Sequence, residues 1–260
     1  MTTSKLLAKT YAAVLAACML AGGLSTVKAQ EAGQAMHAVE TPGAAPFALY
    51  RPASTWNVPG VVTTSGAAPG AGDRDDVQYL LSILDLLAKQ GLADRSRVDV
   101  TGISGGGRMA SWIGCVASMR FAAIGSVVGL RAGAPLKSDP ARPDSVSCRP
   151  ESPLPVIAFA GDRDTTNPME GGGSKYWQYS MQAAVQRWAT LNQCQHAAVT
   201  RRISPTVYQV LYDGCRDDAV VTAYVTEGGG HTWLANDEVM WAFFASYARA
   251  ADGKLLKVGR

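Results

Sequence analysis

The chain has 260 residues, 47% of them hydrophobic and 17% charged, and a formal charge of +3. That mix excludes a disordered or fibrous chain and gives one globular domain's worth of sequence. The positive excess sits in the first 29 residues, which hold Lys5, Lys9 and Lys28 and no acid; the rest is formally neutral, with no basic patch for nucleic acid.

Residues 1–29 read as an export signal. Lys5 and Lys9 give a basic start, Tyr11 to Ala21 an apolar core, and Val27-Lys28-Ala29 a cleavage site of short residues. Leu15-Ala-Ala-Cys18 also fits a bacterial lipid-attachment signal, the second reading. The apolar run is short for a bilayer span, so no stable membrane span is expected after processing. The expectation is a secreted or periplasmic protein. Cys115, Cys148, Cys194 and Cys215 then suggest two disulfides, with three connectivities open.

Residues 30–72 read as a tail and a loop-rich segment, with a short strand at Phe47–Tyr50, and 73–260 as a catalytic domain. Asp75 and Asp76 open a helix whose Val77, Leu80, Leu81, Leu84, Leu87 and Ala88 recur at helical spacing, and Gly91 ends it. Val98–Ile103 is strand-like and Met109–Cys115 helical. Phe121–Val128 is a strand, and Arg131–Pro153, with five prolines, a loop. Leu154–Ala160 reads as a buried parallel strand and Tyr176–Leu191 as a helix. Tyr208–Tyr212 and Ala219–Val225 are further strands, and Asn236 caps a last helix. Strand and helix alternate as in a mostly parallel sheet with helices on both faces.

Between the second of these strands and its helix stands Gly102-Ile-Ser104-Gly-Gly106. A G-x-S-x-G at a strand-to-helix turn is the nucleophile elbow of α/β-hydrolases. The turn demands a strained backbone at Ser104, with Gly102 and Gly106 expected to leave room for it. The Gly105 amide opens the helix and is the candidate oxyanion donor. A serine hydroxyl needs a base and an orienting acid. Of the three histidines, His37 lies in the tail and His196 beside Cys194. His231 follows a strand and the turn Gly228-Gly-Gly230, and is the candidate base. Asp162 and Asp164, after the strand ending at Ala160, are both candidate acids. The order serine, aspartate, histidine is that of α/β-hydrolases.

Four stretches, Thr101-Gly-Ile-Ser-Gly-Gly-Gly-Arg-Met-Ala110, Arg120-Phe-Ala-Ala-Ile124, Pro155-Val-Ile-Ala-Phe-Ala-Gly-Asp-Arg-Asp164 with Gly171-Gly172, and Gly229-Gly-His-Thr-Trp233, together resemble the secreted polyhydroxybutyrate depolymerase and feruloyl esterase family. The likeness runs from about Asp73 to Ala245. It implies a triad of Ser104, Asp164 and His231, preferring Asp164 to Asp162. It pairs Cys194 with Cys215 and, with it, Cys115 with Cys148. The family carries, before the elbow, a strand ending in a His-Gly loop that supplies a second oxyanion amide. This sequence has neither, so the first strands of the sheet are expected to be missing, with a substitute donor in Gly60–Gly72 or an impaired site.

The expected activity is hydrolysis of carboxylic esters, of a polyester or of feruloyl and other hydroxycinnamoyl groups, without metal or cofactor. Trp56, Trp112 and Trp233 are candidates for lining an aromatic pocket. The rival readings are a catalytically impaired exported binding protein and a serine peptidase on the same fold.

Overall fold

Asp75 caps the first described helix, its carboxylate accepting the Gln78 amide, and this helix, α1, runs Asp76–Lys89 before Gly91 turns the chain at φ +74°. A computed structural model describes residues 37–39, 48–50, 56–58, 61–62 and 75–258. Two short segments, β1 (His37–Val39) and β2 (Ala48–Tyr50), pair antiparallel. β2 falls where a strand was expected, whereas β1 lies in the stretch read as tail. The expected export signal lies outside the described residues.

Among the described residues the central sheet has six strands. In chain order they are β3 (Asp99–Ile103), β4 (Ala123–Val127), β7 (Val156–Gly161), β8 (Val199–Ser204), β9 (Val207–Tyr212) and β10 (Val221–Thr226). Their order across the sheet is β3-β4-β7-β10-β9-β8. The first four run parallel, β9 runs antiparallel to β10, and β8 runs antiparallel to β9. The segment read as a loop holds a small hairpin, β5 (Pro135–Leu136) with β6 (Asp139–Pro143), and the chain closes with the pair β11 (Tyr247–Arg249) and β12 (Leu255–Lys257).

Helices α2 (Gly105–Val116), α3 (Met181–Leu191) and α4 (Asp237–Phe244) are the other α-helices among the described residues. Alternate residues of β7 explain the layering. Val156, Ala158 and Ala160 face a core shared with α2, α3 and the apolar stripe of α1. Ile157 and Phe159 face a second core with Met240 and Phe244 of α4 and with Tyr247. A fully buried strand with helices on both sides reads as a continuous apolar run, as Val156–Ala160 does. This is the α/β-hydrolase architecture: a mostly parallel sheet with the elbow strand β3 running into helix α2. Disulfides Cys115–Cys148 and Cys194–Cys215 tie the ends of α2 and α3 to neighbouring loops.

Among the described residues β3 is an edge strand. Asp99, which opens it, has a carboxylate oxygen buried without a partner, and burial pushes its carboxyl up to about 7. No described helix is long and apolar enough to cross a membrane.

Candidate active site

The site forms where β3, β7 and β10 end. Ser104 follows β3 directly, and its amide donates to the Val127 carbonyl at 2.9 Å. Its backbone sits at φ 54°, ψ −115°, a region that non-glycine residues avoid. Helix α2 starts at the next residue, as expected of the Gly105 amide, and Gly105 to Gly107 form its first turn. A Cβ on Gly102 would lie 2.5 Å from the Gly106 backbone, so that glycine is sterically required. Gly106 itself faces open space, which corrects the expectation that both glycines clear the turn.

The chain leaves β7 through a turn that holds Asp164. Asp164 Oδ1 accepts the amides of Thr166 and Asn167 at 2.9 and 2.8 Å. Asn167 in turn donates through its side-chain amide to the Val128 carbonyl at 2.6 Å. That bond ties the aspartate turn to the segment beside the elbow. Asp164 is buried, so its position is set by the fold and not by solvent.

β10 delivers His231 through the glycine turn expected for it. Gly161 at the end of β7 lies so close to Gly229 that a Cβ there would come 2.1 Å from the Gly229 oxygen. Arg163 donates its amide to the same oxygen at 2.9 Å, and the Gly228 amide donates to Asp162 Oδ1 at 2.6 Å. Asp162 thus fastens the histidine turn to the aspartate turn.

Three side chains from distant parts of the sequence meet as a result. His231 Nδ1 lies 2.8 Å from Asp164 Oδ2, and His231 Nε2 lies 2.9 Å from Ser104 Oγ. With a proton on Nδ1 donated to the carboxylate, Nε2 is free to accept the serine proton. Such an arrangement can raise the nucleophilicity of a hydroxyl. Among the described residues the Gly105 amide is taken by no backbone carbonyl.

The other candidates are scattered. His196 pairs with Asp213 at the surface, at 2.7 Å. Trp56 and Trp112 pack half-buried on the core. Trp233 is exposed, and its indole N–H donates to Asp237. Most of Gly60–Gly72 lies outside the described residues, as does the side chain of His37. Among the described residues no cluster of three or more His, Cys, Asp or Glu side chains could hold a metal ion.

The sequence motifs single out neither Arg108 nor Arg131, which lie beside the elbow. Arg108 follows one turn after Ser104, its amide bonded to the Ser104 carbonyl. Both arginines are buried. A signal was available: α2 reads GGGRMASWIGCV, where Arg108 is the single charge in an otherwise uncharged helix.

No family model and no curated protein matches the chain. Among solved structures it is similar to an acetyl xylan esterase from Aspergillus awamori, at 15% identity and TM-score 0.46, over 65% of this chain and 67% of the other. A thermostable esterase is similar at 16% identity and TM-score 0.37, over 52% of this chain and 30% of the other. A puromycin hydrolase is similar at 17% identity and TM-score 0.37, over 71% of this chain and 27% of the other. The chain thus spans under a third of the two latter proteins. Likeness of this degree carries no residue role from one protein to another.

Proposed function

We propose that this chain is a serine hydrolase that cleaves carboxylic esters. The observation that carries the reading is the continuous hydrogen-bonded series from Ser104 Oγ through His231 to Asp164. Ser104 Oγ attacks the acyl carbon while His231 Nε2 takes its proton. The tetrahedral oxyanion is held by the Gly105 amide at the start of α2. Collapse breaks the bond to the alcohol, which leaves with the proton from His231. Water then attacks the acyl-serine by the same proton path and releases the acid. Asp164 keeps the proton on His231 Nδ1 and stabilises the imidazolium.

Polyester or hydroxycinnamoyl esters are the substrates the sequence resemblance suggests. Export through residues 1–29, with cleavage after Ala29, belongs to the same proposal, and the two disulfides suit an oxidising compartment. The test is turnover of a short nitrophenyl ester, methyl ferulate and hydroxybutyrate oligomers. The wild type is expected to hydrolyse at least one of them, and Ser104→Ala none. Equal rates for the two proteins would reject the enzyme in favour of a binding protein that keeps the fold.

A further inference from the structure

Among the described residues three arginines are buried, and one shows what a structural arginine looks like here. Arg249 donates to the carbonyls of Phe121, Pro153 and Gly253 and to the Ser152 hydroxyl, so every nitrogen of its guanidinium has a partner. Arg108 and Arg131 are different. Arg131 is 5% exposed and Arg108 9%. Arg131 Nη1 donates to the Tyr179 carbonyl at 2.6 Å, but its Nη2 is buried without a partner. Arg108 makes no side-chain hydrogen bond among the described residues, and its Nη1 is buried and unpaired. No carboxylate lies within ion-pair distance of either among the described residues. Burying a guanidinium without satisfying its N–H groups is costly, and an unfilled site is one reason a fold keeps such a feature.

The surroundings fit an anion. Arg108 and Arg131 lie against neighbouring residues of one stretch, Tyr176 to Tyr179. Burial pushes the Arg131 guanidinium down to about 10, with Tyr179 pulling it up and the charge of Arg108 adding to the fall. The walls are aromatic. Arg131 stacks 3.7 Å from the Trp177 ring centroid and 4.1 Å from that of Tyr179, and Arg108 lies 5.0 Å from that of Tyr176. This is the stretch the sequence read as the start of a helix. In the structure it precedes α3, whose cap is Ser180, and it lies over the two arginines. Cation–π contact compensates part of the burial and leaves the in-plane N–H groups for an acceptor. Both arginines are tied to the helix of the elbow: Arg108 belongs to α2, and the Arg131 backbone amide donates to the Ser111 hydroxyl of α2.

We propose that Arg108 and Arg131 form a subsite for a carboxylate carried by the ester substrate. The proposal rests on the esterase reading, and it names a substrate class: esters whose acyl or alcohol part bears a free carboxylate. A guanidinium takes a carboxylate through two parallel N–H bonds, which fixes the substrate relative to the elbow.

The experiment uses two matched pairs of esters on the full chain. One is 4-nitrophenyl hydrogen adipate with its methyl ester, for the acyl side. The other is 4-acetoxybenzoate with its methyl ester, for the alcohol side. In at least one pair kcat/KM for the anionic member is expected to exceed that of its neutral twin by about 10- to 100-fold, the range for hydrogen bonds to a charged group. Arg108→Gln keeps a polar side chain over Tyr176 and is expected to remove most of that preference. Arg131→Gln risks misfolding, so it is not relied on. A second readout needs no turnover. In Ser104→Ala the thermal midpoint is expected to rise with the anionic ester, and not with its neutral twin or with sodium acetate at equal concentration. The rise is expected to vanish in Ser104→Ala/Arg108→Gln. Equal shifts by ester and acetate would make this a site for a free anion and overturn the proposal. Absence of any anion-dependent shift would overturn it too, whether or not the wild type turns over. Loss of turnover on every ester with the shift intact would sink the esterase reading alone.

Discussion

Replacing Asp164 by Asn tests the hydrogen-bonded series at its most specific point. Oδ1 of Asp164 accepts the Thr166 and Asn167 amides, and Oδ2 faces His231 Nδ1. An asparagine keeps the first two bonds with its carbonyl oxygen and so turns its NH₂ toward His231. That NH₂ can only donate, which leaves Nδ1 unprotonated and puts the imidazole proton on Nε2, facing Ser104. The histidine then cannot accept the serine proton. The expected loss is about 10⁴-fold in kcat, near 5 kcal/mol of barrier, with the fold intact. Asp162→Asn is the control. Its oxygen still accepts the Gly228 amide, so kcat stays within a few-fold and stability falls by at most about 1 kcal/mol. The assay is kcat on a short nitrophenyl ester, with thermal midpoints for both variants. An active Asp164→Asn beside an inactive Asp162→Asn would refute the reasoning and move the role to Asp162.

A Cβ on Gly129 would stand 2.3 Å from the Ser104 carbonyl oxygen, so Gly129→Ala is expected to lower stability by about 1–3 kcal/mol and to cut turnover by displacing the elbow. An unchanged midpoint and rate would show that the loop yields freely. The Asp99 carboxyl, pushed up by burial from 3.8 to about 7, holds its proton more tightly folded than unfolded, so this group makes stability fall as pH rises from about 4 to about 7. Asp99→Asn removes that slope, and its advantage over wild type should grow with pH to on the order of 4 kcal/mol at most; denaturant titrations at several pH values measure it, and a constant gap would contradict it. Opening the Cys194–Cys215 bridge, 21 residues apart, by a double Ser substitution is expected to cost about 3 kcal/mol in denaturant unfolding.

Much of this was written in local pattern. The elbow could be read because its glycines and serine fall between an apolar strand and a helix, and His231 because a glycine turn follows a strand. The choice between Asp162 and Asp164 was not local. Both follow β7, and what separates them is a partner 67 residues away. β8, sequence VTRRIS, escaped notice because an exposed edge strand carries charges where a buried one carries aliphatics. The aromatics of Tyr176–Tyr179 continue the apolar spacing of α3 and so resemble helix in the sequence, although α3 begins at Met181. The spacing reports burial, and here the burial is against two arginines. That pairing joins positions 23 residues apart through the packing of a loop on a helix, which no periodicity records.

The most direct test of the central claim is reaction of the full chain with a fluorophosphonate, followed by peptide mass mapping. An activated serine reacts and a passive one does not. The account predicts one adduct per chain, on Ser104, and none in His231→Ala. An unlabelled wild type, or an adduct on another serine, would contradict it.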